Sequence, residues 1–283
     1  MRISHNIAAM NTYRSYSSNA ATANKSMEKL SSGSRINRAA DDAAGLSISE
    51  KMRSQIRGLQ QATRNAEDGV SFLQTAEGAL NEVSDMLTRM KELAVQVKNG
   101  TYSTADKGNI GSEMSALGTA VCDVYTNTNF NGISVFGAQT ASAAGVLTTT
   151  AAGDAASIAY GENGTQSVTI AGATVAKMIT LTTATAAAKT TPGGVTDTLV
   201  DDAITEVNTV RAGYGAQQNQ LEHVVNNMAT TKENLQSAES RVRDVDMAEE
   251  MTEYTKNNIL LQAAQSMLAQ ANSQPQGVLQ LLQ

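Results

Sequence analysis

Apolar and small residues recur at steps of three and four along residues 52–97. This spacing places them on one face of an α-helix and is typical of a helix that packs against partner helices. No proline interrupts the stretch, so it predicts a single helix of roughly 70 Å at about 1.5 Å per residue. Because a compact domain does not need so long a helix, the pattern predicts a rod. The positions of this seam are Met52, Ile56, Leu59, Ala62, Ala66, Val70, Leu73, Ala76, Leu80, Val83, Leu87, Met90, Ala94 and Val97.

A second run with the same spacing covers residues 199–245. Two such runs predict long helices that bury their seams against each other. A shorter amphipathic segment at residues 103–125 predicts a helix between them, in which Cys122 is a small buried apolar residue. The predicted fold class is mainly α, with long antiparallel helices forming a coiled-coil-like rod.

Residues 138–195 break the helical pattern and are rich in Ala, Thr and Gly. Within them, apolar residues alternate with polar ones at a period of two, which predicts a small β-hairpin in the middle of the chain. The alternating positions are Val168, Ile170, Val175, Met178 or Ile179, and Leu181.

Both ends of the chain carry apolar residues at helical spacing. Residues 1–32 have a thin stripe with a polar middle, so we expect this helix to order only against another element. The last forty residues are amphipathic to the end, and their apolar surface requires a partner. The apolar tail positions are Ile3, Ile7, Met10 and Leu30, and then Ile259, Leu260, Leu261, Met267, Leu268, Val278, Leu279, Leu281 and Leu282.

Composition and charge narrow the function. Aromatic residues make up 4% of the chain and Trp is absent, so burial rests on Leu, Ile, Val, Met and Ala, which suits closely packed helices. The net charge of −6 argues against nucleic-acid binding, which requires a basic stripe. Residues 1–100 carry 13 Lys and Arg against 10 Asp and Glu, whereas residues 196–283 carry 5 against 12. These opposite net charges favour pairing of the two ends.

The residue types that carry catalysis or bind metals are scarce. His5 and His223 are the two histidines and Cys122 is the one cysteine, so the usual ligand count of a zinc site is not reached. A Cys122–His223 dyad is an alternative, but the helical pattern explains both residues without it. We therefore predict no enzymatic activity, no metal and no cofactor.

Asp41 and Asp42 lie in a segment with turn signals at Gly33 and Gly45, where a carboxylate could cap a helical turn. We interpret the two acids as solvated turn residues paired with Arg35 or Arg38. No apolar run approaches the 18 residues of a membrane span, and the N-terminus lacks the apolar core of a signal peptide.

Six segments are specific enough to compare with known families. They are LSSGSRINRAADDAAGLSISEKMRSQIRGL at 30–59, LTRMKELAVQVKNGTY at 87–102, NFNG at 129–132, VRAGYGAQQNQLE at 210–222, SRVRDVDMAEEM at 240–251 and ILLQAAQSMLAQANSQPQGVLQLL at 259–282. These segments resemble bacterial flagellin, the subunit of the flagellar filament. The resemblance covers about residues 1–137 and 196–283, and 138–195 is the part in which that family varies.

The resemblance implies a domain scheme of five parts. Residues 1–45 would be an N-terminal inner-tube helix with a connecting spoke, and 46–137 the N-terminal rod helices of an outer tube. Residues 138–195 would be the short variable β/loop region, 196–241 the C-terminal rod helix and 242–283 the C-terminal inner-tube helix. The N- and C-terminal helices are thus expected to pair.

The function implied is that of a structural subunit that self-assembles into the helical filament and transmits motor torque for swimming. The implied partners are further copies of the chain, a flagellar export chaperone, the export apparatus, and the filament cap and hook-associated proteins. Its implied location is extracellular, after export without a cleaved signal peptide. The alternatives are a hook–filament junction protein and a helical adhesin or receptor ligand.

Three positions match the epitope that an animal Toll-like receptor reads in many flagellins: Arg89, Leu93 and Glu113. Packing between subunits is an equally weighted role for Arg89 and Leu93. Gly108 and Gly111 precede Glu113 and are unusual for this helix, so we expect them to loosen the epitope.

Overall fold

The computed structural model describes residues 6–136, 140–141, 147–148, 156–161, 166–170, 176–188 and 191–281. Within them the chain forms six α-helices, namely α1 (Ile7–Ser32), α2 (Ala43–Val97), α3 (Thr104–Asn127), α4 (Ala176–Ala188), α5 (Asp197–Arg243) and α6 (Met247–Leu281). It also forms three antiparallel strand pairs, β1 (Asn129–Phe130) with β2 (Ile133–Ser134), β3 (Thr140–Ala141) with β4 (Leu147–Thr148) and β5 (Ala156–Ala159) with β6 (Ser167–Ile170). The mainly α fold class with small strand pairs is therefore confirmed.

The chain divides into two compact units. Unit 1 consists of residues 1–56 and 233–283, and unit 2 consists of residues 57–232. Unit 1 contains α1, the start of α2, the end of α5 and α6, whereas unit 2 contains the rest of α2 and α5 together with α3, α4 and the strand pairs.

The predicted seam of α2 forms the core of unit 2. Every seam position in residues 59–97 is buried except Val70, which is half-buried. The seam of α5 contributes further buried side chains to the same core. The apolar stripe of an amphipathic helix is buried when neighbouring helices cover it. The α5 members are Val200, Ala203, Val207, Tyr214, Leu221 and Met228.

Ion pairs along the edge of this core show that α5 runs antiparallel to α2. The Nζ atom of Lys98 lies 2.6 Å from Oδ2 of Asp197, where α2 ends and α5 begins. Further along, Nη2 of Arg211 lies 3.9 Å from Oε1 of Glu77. The long antiparallel helices predicted from the two seams are confirmed.

The helix α2 begins nine residues earlier than its seam predicted. Its first turn is capped by Asp42, whose Oδ1 accepts a hydrogen bond of 2.8 Å from the backbone N–H of Gly45. Gly45 therefore lies inside the first helical turn, and its interpretation as a turn residue is wrong. The cap satisfies an otherwise unpaired backbone donor, which lets the helix extend through a segment with few large apolar residues.

The hairpin predicted from alternating residues is correct for its first strand and wrong for its second. Strand β6 contains Val168 and Ile170, but it pairs with β5, which precedes it. Residues 176–188 are helical instead, and Val175 lies outside the described residues. The buried side chains of α4 recur at steps of one, three and four, as on a helix face that packs on α3. They are Met178, Leu181, Thr182, Thr185 and Ala188.

The N-terminus of α4 is capped by a residue from α5. The carboxylate Oε2 of Glu206 accepts hydrogen bonds from the backbone N–H groups of Lys177, at 2.9 Å, and Met178, at 3.1 Å. A negative charge at a helix N-terminus also interacts favourably with the helix dipole. The cap comes from a residue that is distant in sequence, so a tertiary contact stabilises the helix formed by residues 176–188.

Helices α3 and α4 approach closely at Gly118. A Cβ atom at this position would collide with the side chain of Thr185. Gly108, in the same helix, has open space where its Cβ would be. Gly108 and Gly118 of α3 therefore differ in what they contribute to packing.

In unit 1, α1 ends at Gly33, which adopts the left-handed conformation (φ 69°) that favours glycine. A single antiparallel β-bridge follows. The backbone N–H of Arg35 donates to the carbonyl of Arg243 at 2.6 Å, and that of Val245 donates to the carbonyl of Gly33 at 3.1 Å. The bridge joins the connection after α1 to the connection between α5 and α6.

We predict opposite effects for two glycine substitutions in α3. Gly118→Ala should lower the free energy of unfolding by about 1–3 kcal/mol through overpacking against Thr185, whereas Gly108→Ala should raise it by about 0.4–1 kcal/mol. Thermal and urea unfolding followed by circular dichroism would measure both. The double variant Gly118→Ala with Thr185→Ala should recover part of the loss, and equal effects of the two single substitutions would contradict the close approach.

We also predict that Glu206→Ala lowers the free energy of unfolding by about 1–2 kcal/mol, because two N–H groups of α4 lose their acceptor. Glu206→Gln should cost less, since the amide oxygen still accepts a hydrogen bond without the charge. Urea unfolding is the measurement. Glu82→Ala, at an exposed position of α2, is the matched control, and a loss of the same size there would argue against the capping role.

Candidate assembly surface

Helices α1 and α6 of unit 1 pair in antiparallel orientation. At one end, Nζ of Lys29 lies 3.3 Å from Oε2 of Glu250. At the other end, the side-chain amide of Asn6 donates a hydrogen bond of 2.7 Å to the carbonyl of Ala271. The predicted pairing of the N- and C-terminal helices is therefore confirmed.

The contact between these helices buries small and polar side chains. Among the described side chains of α1 and α6, the buried ones are Ala23, Ser26 and Asn257. A buried Asn at a helix–helix contact restricts the pairs of positions that can face each other, at some cost in stability. The large apolar residues of both helices lie elsewhere on their surfaces.

Most large apolar side chains of the pair are exposed. Of the fourteen large apolar side chains that are exposed in the described part of the chain, eleven belong to unit 1, ten of them on α1 and α6 and the eleventh, Ile48, on α2. Isolated exposed apolar residues are ordinary, but such a concentration is typical of an interaction surface. We call these eleven residues the outward apolar surface: Ile7, Met10, Tyr13, Tyr16, Met27, Ile48, Met247, Met251, Ile259, Leu260 and Met267.

Most of the tail residues singled out from the sequence can be placed on this unit. Those that are exposed are Ile7, Met10, Ile259, Leu260 and Met267. Those that are half-buried are Leu30, Leu261 and Leu268. Val278, Leu279 and Leu281 belong to the helical backbone of α6, but their side chains lie outside the described residues, as do Ile3 and Leu282 altogether.

Sequence reasoning missed part of this surface. Tyr13 and Tyr16 follow Met10 at three-residue steps, so the helical spacing alone contained the signal for them. A groove of about 780 Å³ lies beside Met10 and Tyr13, with Leu268 of α6 on its other wall. Met247 and Met251 were also missed, because they fall at the start of α6 among acidic residues.

Charge is distributed unevenly between the two units. Unit 1 carries eleven Lys and Arg and eleven Asp and Glu, so it is neutral, and the net charge of −6 lies entirely in residues 57–232. A neutral surface does not repel its own copies, whereas a charged one does. The unit that exposes apolar side chains is thus also the unit with no net charge.

Asp41 and Asp42 have structural roles in unit 1. The Asp41 carboxylate lies 2.8 Å from Nζ of Lys25 and accepts backbone hydrogen bonds from Asn37 and Arg38. The Lys25 contact, more than the others, lowers the pKa of Asp41. The interpretation that Arg35 or Arg38 is its charged side-chain partner is therefore wrong.

The guanidinium of Arg89 joins α2 to α3 in unit 2. Its Nη1 donates to Glu92 at 2.8 Å, and its Nε and Nη2 donate to Oε1 of Glu113 at 3.0 and 2.9 Å. The contacts with Glu92 and Glu113 raise the pKa of Arg89. Arg89 and Glu113 thus lie together on the surface, with about half of each side chain exposed.

Leu93, the third residue of the expected epitope, has a different environment. It is 1% exposed and belongs to the core of unit 2. Helix α3 runs without interruption through Gly108 and Gly111, and a capping box between Ser103 and Asp106 closes its N-terminus. In this subunit, then, a protein that binds Arg89 and Glu113 meets their polar groups and not Leu93.

Among the described residues, the candidate catalytic and metal-binding side chains do not come together in one site. In the part of the chain that the structure describes, no three His, Cys, Asp or Glu side chains are grouped as metal ligands. Cys122 is fully buried, whereas His223 is exposed. A buried cysteine is inert towards a solvent-borne substrate.

None of the helices in the described ranges is both long and apolar enough to cross a membrane.

Comparison with known proteins gives consistent results. The bacterial flagellin N-terminal helical region matches residues 3–141, and the bacterial flagellin C-terminal helical region matches residues 198–282. Flagellin of Bacillus subtilis (strain 168) is 48% identical over 307 residues, and the flagellar filament 33 kDa core protein of Treponema phagedenis is 43% identical over 294 residues. Each alignment covers 100% of both chains.

A putative flagellar hook-associated protein from Vibrio parahaemolyticus has a related structure, with a TM-score of 0.61. The similarity covers 72% of this chain and 100% of that one, but at 14% identity it shows a shared fold alone. The two family regions and the full-length relatives determine the assignment. This chain belongs to the bacterial flagellins, the structural subunits of the flagellar filament.

Proposed function

We propose that copies of this chain polymerise through the outward apolar surface of unit 1. The observation that supports the proposal is the orientation of α1 and α6, in which the fully buried residues are small or polar and ten large apolar side chains are exposed. A second copy of the same chain is the partner that fits, because the relatives along the whole chain are filament proteins by name.

The magnitudes support an assembly made of many such contacts. Burying one exposed Leu, Ile or Met side chain contributes about 1.5–3 kcal/mol at full burial, and these residues are already partly covered in the single chain. Association of two proteins costs about 4–15 kcal/mol in lost freedom. One or two side chains therefore cannot hold a subunit, whereas a surface of eleven that meets several neighbours can.

Charge favours the same arrangement. Because unit 1 is neutral, many copies of it can lie close together without accumulating repulsion. The −6 charge of unit 2 would lie where water and salt screen it, which is the outside of a filament. This supports the domain scheme in which 1–45 and 242–283 are inner-tube segments, while 46–137 and 196–241 form the outer tube and 138–195 the variable region.

Before assembly the same surface requires protection. Ile259, Leu260 and Met267 of α6 are exposed in the single chain, and exposed apolar side chains of this kind favour aggregation. The proposed partners before polymerisation are the export chaperone and the export apparatus, and those at the filament ends are the cap and hook-associated proteins. The proposed place of action is the filament outside the cell, where it transmits motor torque for swimming.

A second candidate role is recognition by the animal Toll-like receptor for flagellin. The observation that favours it is the Arg89 guanidinium, which is held by Glu92 and Glu113 and yet remains half exposed. An Arg that is already oriented loses less freedom when it binds a partner. In this role Leu93 does not contact the receptor directly, since it is buried in the core of unit 2.

We predict that Ile259→Asp abolishes filament formation while the single chain keeps its helical content and melting temperature. The position is 61% exposed, so the monomer loses no packing, but an interface would have to bury an unpaired charge. Sedimentation and electron microscopy of the purified full chain would measure assembly. Thr209→Asp adds the same charge at an exposed position of α5 in unit 2 and should still assemble; filaments of normal length from Ile259→Asp would contradict the proposed interface.

We predict that Arg89→Ala lowers receptor activation in a reporter-cell assay, because a charge-assisted contact worth about 1.5–3 kcal/mol is lost. Filament formation should persist. Arg64→Ala is the matched control, since Arg64 is exposed on the same helix and donates only to Gln61 among the described contacts. Unchanged signalling by Arg89→Ala would remove the receptor role and leave the filament role intact.

A further inference from the structure

The methionines of this chain are segregated between the two units. In unit 2, four of them are core residues with at most 5% exposure: Met90, Met114, Met178 and Met228. In unit 1, five are at least 50% exposed: Met10, Met27, Met247, Met251 and Met267. Of the other three, Met52 and Met86 are half-buried, and Met1 lies outside the described residues.

The five exposed methionines lie at both ends of the α1/α6 pair. Met27 and Met251 lie at the end where Lys29 meets Glu250, and Met247 lies one turn before Met251. Met10 and Met267 lie at the opposite end, where Met10 lines the groove between the two helices. Nearly half of the outward apolar surface therefore consists of methionine.

Methionine differs from the other residues of this surface in two ways. Its flexible thioether fits irregular apolar surfaces, which suits contacts with several neighbours. Its sulfur is also oxidised to a sulfoxide, which turns an apolar side chain into a polar one. The reaction requires an accessible sulfur, which these five residues have and the four core methionines lack.

We propose that the five exposed methionines are oxidation sites that control assembly: their sulfoxides prevent the unpolymerised subunit from entering a filament. The oxidant is a two-electron oxidant of the peroxide class. This inference rests on the proposed polymerisation through the outward apolar surface, and it adds a chemical modification to that surface.

The step balances with hydrogen peroxide as the oxidant. The thioether sulfur attacks one peroxide oxygen, a sulfur–oxygen bond forms as the oxygen–oxygen bond breaks, and the second oxygen leaves as water after proton transfer. The sulfur loses two electrons and the peroxide gains them. A sulfoxide oxygen that is buried in an apolar interface without a hydrogen-bond donor opposes association, because it loses its hydration.

Polymerisation itself should protect these residues. In a filament that buries the outward apolar surface, the five sulfurs are out of reach of dissolved peroxide. The core methionines are protected in both states, because unit 2 buries them in the single chain. The pattern of oxidation therefore reports which methionines the filament covers.

The experiment treats the purified full chain with hydrogen peroxide, before or after assembly, and maps sulfoxides by peptide mass spectrometry. We expect the five unit 1 methionines to oxidise in the monomer while the four core methionines stay reduced. The treated monomer should keep its circular dichroism spectrum and fail to sediment as filaments. Peroxide applied to finished filaments should leave the same five residues reduced, and methionine sulfoxide reductase with a thiol should restore assembly of the treated monomer.

Two variants make the assignment specific. In the variant with Met10→Leu, Met27→Leu, Met247→Leu, Met251→Leu and Met267→Leu, the amount of filament formed after peroxide treatment should equal the amount that the same variant forms without it. A matched control with Leu at the core positions Met90 and Met228 should remain sensitive, since Met-to-Leu changes keep volume and usually cost less than about 1.5 kcal/mol. If the five-site Leu variant loses assembly after peroxide as the wild type does, the sensitive groups are elsewhere and the inference is wrong.

The outcomes also distinguish a failure of this inference from a failure of the proposed polymerisation on which it rests. An untreated wild-type chain that forms no filaments would contradict the polymerisation proposal itself. Untreated chains that assemble, together with fully oxidised chains that assemble equally well, would overturn only the role of the methionines. Equal oxidation rates in monomer and filament would show that the filament does not cover them, which also overturns the inference.

Discussion

Where helices α1 and α6 of unit 1 pair, the fully buried side chains are the small and polar ones of Ala23, Ser26 and Asn257, and this constraint shapes the rest of unit 1. Among the described residues of the two helices, large apolar side chains are either half-buried, as at Leu261 and Leu268, or exposed. In unit 2 the large apolar residues of the long helices are buried instead, because the seams of α2 and α5 face each other. The same kind of amphipathic helix is thus covered within the chain in unit 2 and keeps most of its large apolar side chains exposed in unit 1.

Electrostatics reinforces this division. Unit 1 is neutral, but it is not poor in charges, because Lys25 pairs with Asp41, Lys29 with Glu250, and Glu50 with Arg243. The Arg243 contact lowers the pKa of Glu50 more than any other contact does. These pairs lie partly covered at the surface of unit 1, and they remove long-range repulsion between copies. Neutralisation within the subunit therefore favours the proposed packing between subunits.

The sequence predicted the long helices well and their local details less well. The seam of α2 could be identified from the sequence because fourteen positions repeat the same spacing, so a single exception does not hide the pattern. The sequence indicated that Asp41 or Asp42 could cap a helical turn, but not that α2 begins there, because the cap from Asp42 to Gly45 is one hydrogen bond in a segment of small residues. The second strand, predicted through Leu181, was wrong for residues 176–181, which are helical, because Ala and Thr residues obscure the helical spacing and Glu206, which caps the helix, comes from α5. Of the outward apolar surface, Ile7, Met10, Ile259, Leu260 and Met267 were predicted from the sequence, whereas Tyr13, Tyr16, Met247 and Met251 were not.

By itself, the sequence determined the helical class of this protein, the seams of its long helices and its membership of the flagellins. It did so because period and motif are local properties of the chain. The tertiary structure decided which face of each helix is covered. It buried Leu93 in the core of unit 2, joined Arg89 to Glu113 across two helices, and left most large apolar side chains of α1 and α6 exposed. No local pattern contains that information, because a stripe has the same spacing whether its partner is another helix of the chain or a second molecule.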